Sequence, residues 1–468
     1  MNAADLCYLP ALELAQRIRA RELSPVEVTG AVLARVEALQ PRLNAYCTLL
    51  GEQAMAQARA AEAAVMAGEP LGPLHGVPYS VKDLLITAGV RTMRGSRIHE
   101  HDVPTEDAPA VARLKAAGGI LLGKTCTPEF GWKGVTDSPL TGVTRNPWNP
   151  ELTPGGSSGG AAAQVAAGLG PLAVGSDGGG SVRIPAAFSG VFGFKPTFGR
   201  VPVYPHGAFD ALSHVGPITR TVADAALMLA VMAGPDPADR LCLESAPADY
   251  LGELRRGVAG LRVGWSPDLG RVAVNPELAV LAAAAARTFE ELGCRVEEVQ
   301  PGWDDPPAFF GVFWLSGAAG MLGDLLDEWG DRMDPGLVRM VRRGQKLSAM
   351  ALVQAQMRRH QFYDRVRRFF ERYDLLLTPT MPVFPFAAGV DAKEGLAGER
   401  VDPLDWTPFT YPFNLTHSPA ASVPAGFSAD GRPAGLQIVG RRLEDLTVLR
   451  AAAAYEQARP WAQRRPAL

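Results

Sequence analysis

The chain has 468 residues, 47% of them hydrophobic and 20% charged, with 46 basic against 49 acidic side chains and a formal net charge of −3. That apolar content over that length builds a large core, and no Lys/Arg block is long enough for a phosphate-binding stripe, which argues against nucleic acid as a partner. The start Met1-Asn2-Ala3-Ala4-Asp5-Leu6 lacks the basic opening and apolar run of a secretory signal, and no apolar stretch reaches the roughly 20 residues a bilayer needs. Five scattered cysteines (Cys7, Cys47, Cys126, Cys242, Cys294) read as reduced thiols, so the expected location is cytoplasmic, with no membrane contact.

In chain order, residues 1–70 read as helical. Ser24-Pro25 caps a helix whose face is Val28, Val32, Leu33 and Val36, and an Ala-rich helix from Gly51 to about Ala67 stops at Gly68. Gly76-Val77-Pro78-Tyr79-Ser80-Val81-Lys82 alternates like a strand, Val111 to Ala117 reads as a helix, and Gly119 to Lys124 as a short buried strand. A Pro/Gly/Thr/Asn-rich loop over 131–160 is of a length that marks functional loops. Small residues then give a close-packing helix, Ala161 to Gly168, before a strand over 171–177.

Residues 235–256 resemble a surface connection. Beyond them a strand at Leu261–Trp265, a helix opened by Asn275-Pro276-Glu277 and a strand at Cys294–Val299 form a βαβ-like unit. Helical stretches near 308–331 and 335–372 follow, then strands at Leu375–Thr378, Ala421–Pro424 and Leu436–Gly440, and a closing helix near 444–458. The length alone suits about three domains, but strands and helices interleave at both ends, which favours one α/β fold.

The chemistry centres on Gly178-Gly179-Gly180-Ser181, between a buried strand and a helix start. Glycines let the backbone turn sharply and aim successive N–H groups at one point, where a developing negative charge is held. A serine beside such a nest suits acyl transfer; the same segment also reads as a Gly-rich loop with a capping serine. None of the seven histidines carries a motif tying it to Ser181, and the His99/His101 pair lacks a third metal ligand. Lys82 is the better base, because a lysine amine loses its charge readily when buried and Ser–Lys pairs replace Ser–His on several folds. Gly155-Gly156-Ser157-Ser158-Gly159-Gly160 has linker composition and matches G-x-S-x-G, but without the hydrophobic strand that a nucleophile elbow requires.

Together, Gly76 to Asp83, Thr153 to Gly160 and Gly175 to Ala186 resemble the amidase signature family, with Lys82, Ser157 and Ser181 spaced by 75 and 24 residues. Phe192 to Thr197, Gly216 to Asp224 and Gly435 to Gly440 extend the likeness over most of the chain. The resemblance implies a single α/β domain over 1–468, with a mixed, mostly parallel central sheet flanked by helices on both faces. Within it, 1–70 is a helical segment packed on the rest, 71–235 the signature core and 236–468 the remainder.

It further implies Ser181 as nucleophile, Lys82 as base and Ser157, on a cis peptide, as proton relay. The backbone N–H groups of Gly178, Gly179, Gly180 and Ser181 would form the oxyanion hole, and Ser158, Asp177 and Arg183 would support the site. Phe130 and Gly131 would line the acyl pocket, with Trp132, Phe313, Trp314, Phe409 and Tyr411 as further apolar candidates. No metal or organic cofactor is implied; the partner is a small-molecule amide, and a homodimer fits by analogy. Three positions depart from the pattern: Gly178 for threonine, Cys126 for asparagine and His417 for glycine. The rival readings are a glutamine-dependent amidotransferase subunit working with a partner chain, an esterase or carbamate hydrolase on the same machinery, and a catalytically silent binding protein. The 144–150 segment looks more like free-standing amidases than like the first of these.

Overall fold

The computed structural model describes residues 2–207, 209, 211–303, 306–391 and 406–468. Its strands in chain order are β1 Tyr46–Leu49, β2 Pro78–Lys82, β3 Ile120–Thr125, β4 Asp137–Ser138, β5 Gly142–Val143, β6 Leu172–Asp177, β7 Phe192–Lys195, β8 His214–Thr219, β9 Arg262–Trp265, β10 Arg295–Glu298, β11 Leu375–Pro379, β12 Ala420–Phe427 and β13 Pro433–Gly440. Strands β4 and β5 form a small separate hairpin. The other eleven make one sheet in the order β1-β3-β2-β6-β8-β7-β12-β13-β11-β9-β10.

The expected "mostly parallel" sheet is corrected. Parallel pairing is confined to β2 with β3 and β6, and to β9 with β10 and β11. Every other pairing is antiparallel: β1 runs against β3 at one edge, and β8, β7, β12, β13 and β11 alternate in direction across the middle of the sheet. Strands β1, β7 and β8, and the short β4 and β5 inside the segment read as a loop, are not read from the sequence; β8 carries Gly216 and Pro217 inside a central strand, where such residues ordinarily signal turns.

The helix starts follow local chemistry. Ser24 Oγ accepts from the Val26 and Glu27 N–H groups, and Gly68 ends the helix Gly51–Ala67 in the left-handed conformation that glycine adopts without strain. The 335–372 stretch is two helices, Pro335–Gly344 and Ala349–Arg372, the second capped by Ser348. At the break, a Cβ on Gly344 would lie 2.1 Å from Leu315 O, so glycine permits the close crossing with the helix Pro307–Leu322.

One helical run, Pro307–Arg332, is long and apolar enough by length and composition to cross a membrane, contrary to the expectation that no stretch is. Its Phe309, Phe310, Trp314, Leu315, Ala318 and Leu322 are buried in an aromatic cluster with Trp132, Phe409, Tyr411 and Phe413, which accounts for much of that apolarity. This cluster packs on one face of β11, β12 and β13 through Leu376, Ala420 and Val439, while Leu375, Leu377, Ala421 and Ile438 on the other face join the larger core. The larger core lies under the sheet against the helices Val222–Met232 and Asp445–Ala458.

Candidate active site

Parallel neighbours β2 and β6 deliver Lys82 and Asp177 at the same end of the sheet, since Val81 stands opposite Val174. Lys82 is fully buried, and its Nζ lies 2.8 Å from Ser157 Oγ and 3.1 Å from Ser176 Oγ. Burial pulls its amine down to about 7, with Asp177 opposing. Ser157 follows a cis Gly156–Ser157 peptide. The glycines around it are there for close packing rather than linker flexibility: a Cβ on Gly156 would lie 2.5 Å from Val135 O, and one on Gly159 would lie 2.3 Å from Thr136 Oγ1. Thr136, unmarked in the sequence, pins the loop by donating to Gly155 O and accepting from Gly159 N–H.

Ser158 joins this loop to the serine turn. Its N–H donates to Ser181 O at 3.2 Å and its hydroxyl to Ser176 O at 3.2 Å. The turn is held from below by a buried pair, with Arg183 Nε and Nη2 donating to the two Asp177 oxygens at 3.0 and 2.9 Å. Burial alone would raise the Asp177 pKa, but Arg183 outweighs it and holds the carboxyl well below the usual carboxylate range. Asn414, Gln437 and the Thr410 carbonyl complete the network around Arg183, at 2.7 to 2.8 Å. Asn414 and Thr410 are not marked in the sequence, and Gln437 lies within the Gly435–Gly440 segment without being singled out there.

One expected oxyanion donor is corrected. The Gly180 N–H is taken by Asp177 Oδ1 at 2.7 Å, because the carboxylate caps the turn from inside. Among the described residues the N–H groups of Gly178, Gly179 and Ser181 donate to no protein acceptor. Aromatic rings crowd the same glycines, and a Cβ on Gly178 would lie 3.1 Å from Trp314, one on Gly179 3.0 Å from Phe310. Phe310, absent from the sequence reading, stacks on Tyr411 at 4.6 Å, one helical turn before Trp314 on the same apolar helix.

Gly131 adopts φ +70°, and a Cβ there would stand 3.2 Å from Ser157 Oγ. Phe130, also at positive φ, lines a cavity of about 570 Å³ together with Leu84, Ser176, His214 and Met321. Ser176 is thus shared between this cavity and the contacts of Lys82. Phe313 is only partly buried and lies under Arg359, while Phe409 is fully buried in the aromatic cluster. His214 is the histidine that reaches the turn, its Nδ1 lying 2.7 Å from Leu212 O and 3.1 Å from Asp177 O, and burial holds it uncharged.

His99 faces Asp102. The acidic group Asp137, Asp334 and Asp391 is occupied by the Lys133 ammonium, 2.8 Å from Asp137 and 2.9 Å from Asp334. His417 has φ +60°, a conformation that favours glycine, and stacks on Phe198 at 4.1 Å.

The family model described as Amidase matches residues 27–449. An acylamidase of Rhodococcus erythropolis is 44% identical, covering 100% of this chain and 99% of its own. A glutamyl-tRNA(Gln) amidotransferase subunit of Moorella thermoacetica is 39% identical over 99% of each. Among solved structures, a bacterial aryl acylamidase of the amidase signature family superimposes with a TM-score of 0.92 at 35% identity, covering 97% of each chain. A 6-aminohexanoate cyclic dimer hydrolase gives 0.90 at 33% identity, covering 98% and 99%. The chain belongs to the amidase family, as a hydrolase of carbon–nitrogen bonds other than peptide bonds.

Proposed function

We propose that Ser181 is the nucleophile of a serine amidohydrolase, with Ser157 as relay and Lys82 as base. The observation that carries this reading is a buried amine, drawn down to about 7, hydrogen-bonded at 2.8 Å to a hydroxyl on the loop that also binds Ser181 O. As Ser181 Oγ attacks the amide carbonyl, its proton passes to Ser157 and that of Ser157 to Lys82. The Gly178, Gly179 and Ser181 N–H groups receive the oxyanion, each donor being worth roughly 3–4 kcal/mol in related chemistry. The relay then protonates the leaving nitrogen, and water repeats the sequence on the acyl-enzyme to release a carboxylic acid.

The cavity, lined mainly by apolar side chains with Arg94, His206 and His214 in its wall, and the acylamidase likeness favour an acylamide, aryl or aliphatic, as substrate, hydrolysed by the chain without a partner subunit. The five free thiols suit the cytoplasm. The test is fluorophosphonate labelling and turnover of a simple anilide by the isolated chain. Labelling at Ser181, lost in Ser181→Ala together with turnover, supports the reading. Ammonia release from glutamine only with an added partner chain would favour the amidotransferase, and faster turnover of a matched ester would favour the esterase.

A further inference from the structure

Three oxygens surround the Lys82 amine: Ser157 Oγ at 2.8 Å, Ser176 Oγ at 3.1 Å and Ser176 O at 3.4 Å. An uncharged amine has two N–H groups and one lone pair, and a carbonyl oxygen can only accept. To take the Ser157 proton, the lone pair has to face Ser157 Oγ, so both N–H groups must be satisfied elsewhere. Both remaining acceptors belong to one residue. We propose that Ser176 is a positioning residue for the reaction: its hydroxyl and carbonyl accept the two N–H groups of Lys82 and thereby turn the lone pair onto Ser157.

This rests on the Lys82–Ser157–Ser181 reading and adds to it the element that sets the direction of proton flow. When Ser181 Oγ bonds to the carbonyl carbon, its proton moves to Ser157 Oγ and the Ser157 proton to Lys82 Nζ. The resulting ammonium has three N–H groups for the same three oxygens, so the amine does not need to rotate between its two states. The placement of Ser176 is fixed by the strand: it stands next to Asp177 at the end of β6, and Ser158 Oγ ties its carbonyl to the relay loop at 3.2 Å. The charged group bearing on Lys82 is Asp177, which Arg183 neutralises.

The experiment is kcat and KM against pH on 4-nitroacetanilide for the wild type, Ser176→Ala and Ser176→Thr. In Ser176→Ala the plateau kcat falls by about 10–100-fold with little change in KM, and the acidic limb moves down by about one pH unit, because the ammonium has lost an acceptor. Ser176→Thr keeps the hydroxyl and restores both. Wild-type kcat in the alanine variant, a lowered kcat with an unmoved limb, or a threonine variant that behaves like alanine each overturns the proposal. If Ser176→Ala does not fold, Ser176→Cys, of similar volume and a poor acceptor, is read by the same criteria. A wild type without an acidic limb, or turnover surviving Lys82→Ala, would overturn the triad reading instead; a limb that is present but indifferent to residue 176 overturns only the role of Ser176.

Discussion

Lys82 and Lys124 lie on adjacent parallel strands, both fully buried, and point to opposite faces of the sheet because Lys124, not Thr125, stands opposite Val81. Burial draws both amines down, to about 7 for Lys82 and about 8 for Lys124. Their partners differ. Lys124 Nζ donates to Leu85 O at 2.6 Å and Thr92 Oγ1 at 2.7 Å, with the Asp83 carboxylate 3.8 Å away. Lys82 meets two serine hydroxyls and a carbonyl, and the nearby carboxylate, Asp177, is already held by Arg183. A buried lysine is a structural cation when its environment supplies a countercharge, and a base when the countercharge is committed elsewhere and a transferable proton lies within reach.

The sharpest way to break that contrast is to remove each side chain. Ser181→Ala and Lys82→Ala should each lower kcat/KM by about 10⁴-fold or more while the protein stays folded, and Ser157→Ala by about 10²–10⁴-fold. Thermal melts alongside the rates check the folding. Lys124→Met should do the reverse. It leaves the Asp83 carboxylate buried without its cation, at a cost of about 3–5 kcal/mol in denaturant unfolding, while the labelling rate per folded molecule stays near wild type. Arg183→Met, which strands Asp177 in the same way, should lose both stability and rate, because Asp177 also shapes the serine turn.

A smaller effect, of tenfold per pH unit, separates the two lysines by titration. If Lys82 is the base, kcat/KM rises with pH through about 7 and levels above it. Stability follows the same sign. Below about 7 both lysines are charged in the folded and unfolded chains, and the fold bears the full cost of burying that charge. As pH rises from there toward the unfolded value near 10.5, the unfolded chain holds more protons and stability increases, Lys124 joining from about 8. Lys124→Met should flatten the stability rise above about 8, where Lys82 alone then contributes, and leave the rate limb in place.

The contrast between these lysines is only half legible in the sequence. The strand containing Lys82 is read from its alternation, and the chemistry of Ser181 from the glycines before it. Lys124 lies inside the segment read as a buried strand, yet nothing in the chain order reveals which of two buried lysines will find a carboxylate. That depends on Asp83 bending back to accept from Met93 N–H, a contact across a loop. Asn414 and Gln437, which hold Arg183, arrive from 231 and 254 residues away, and Thr136 acts through the backbone of a loop whose composition resembles a linker. The sheet direction is misread for a related reason: β7 and β8 are not read as strands, and β8 and β12 pair with strands distant in the chain, β6 and β7, whose direction relative to them no local pattern reveals.

The smallest predicted effect concerns Gly131, where a Cβ would meet Leu84 Cδ1 at 2.8 Å and Ser157 Oγ at 3.2 Å. Its φ of +70° adds a conformational penalty of about 1 kcal/mol for any other residue. Gly142 provides the matched control, with φ +73° but its nearest neighbour, Asn44 Nδ2, at 3.7 Å. Both alanine variants should therefore melt only about 1 °C lower, by about the same amount, since both carry the backbone penalty. Only Gly131→Ala should also lower kcat, by about 3–10-fold, because the Leu84 side chain can swing aside but Ser157 Oγ, 2.8 Å from Lys82, can yield only by lengthening the hydrogen bond on which the proposed relay rests. Equal kcat in the two variants would show that the relay tolerates displacement, and would leave Phe130 and the cavity, rather than Gly131, as the feature that shapes this side of the site.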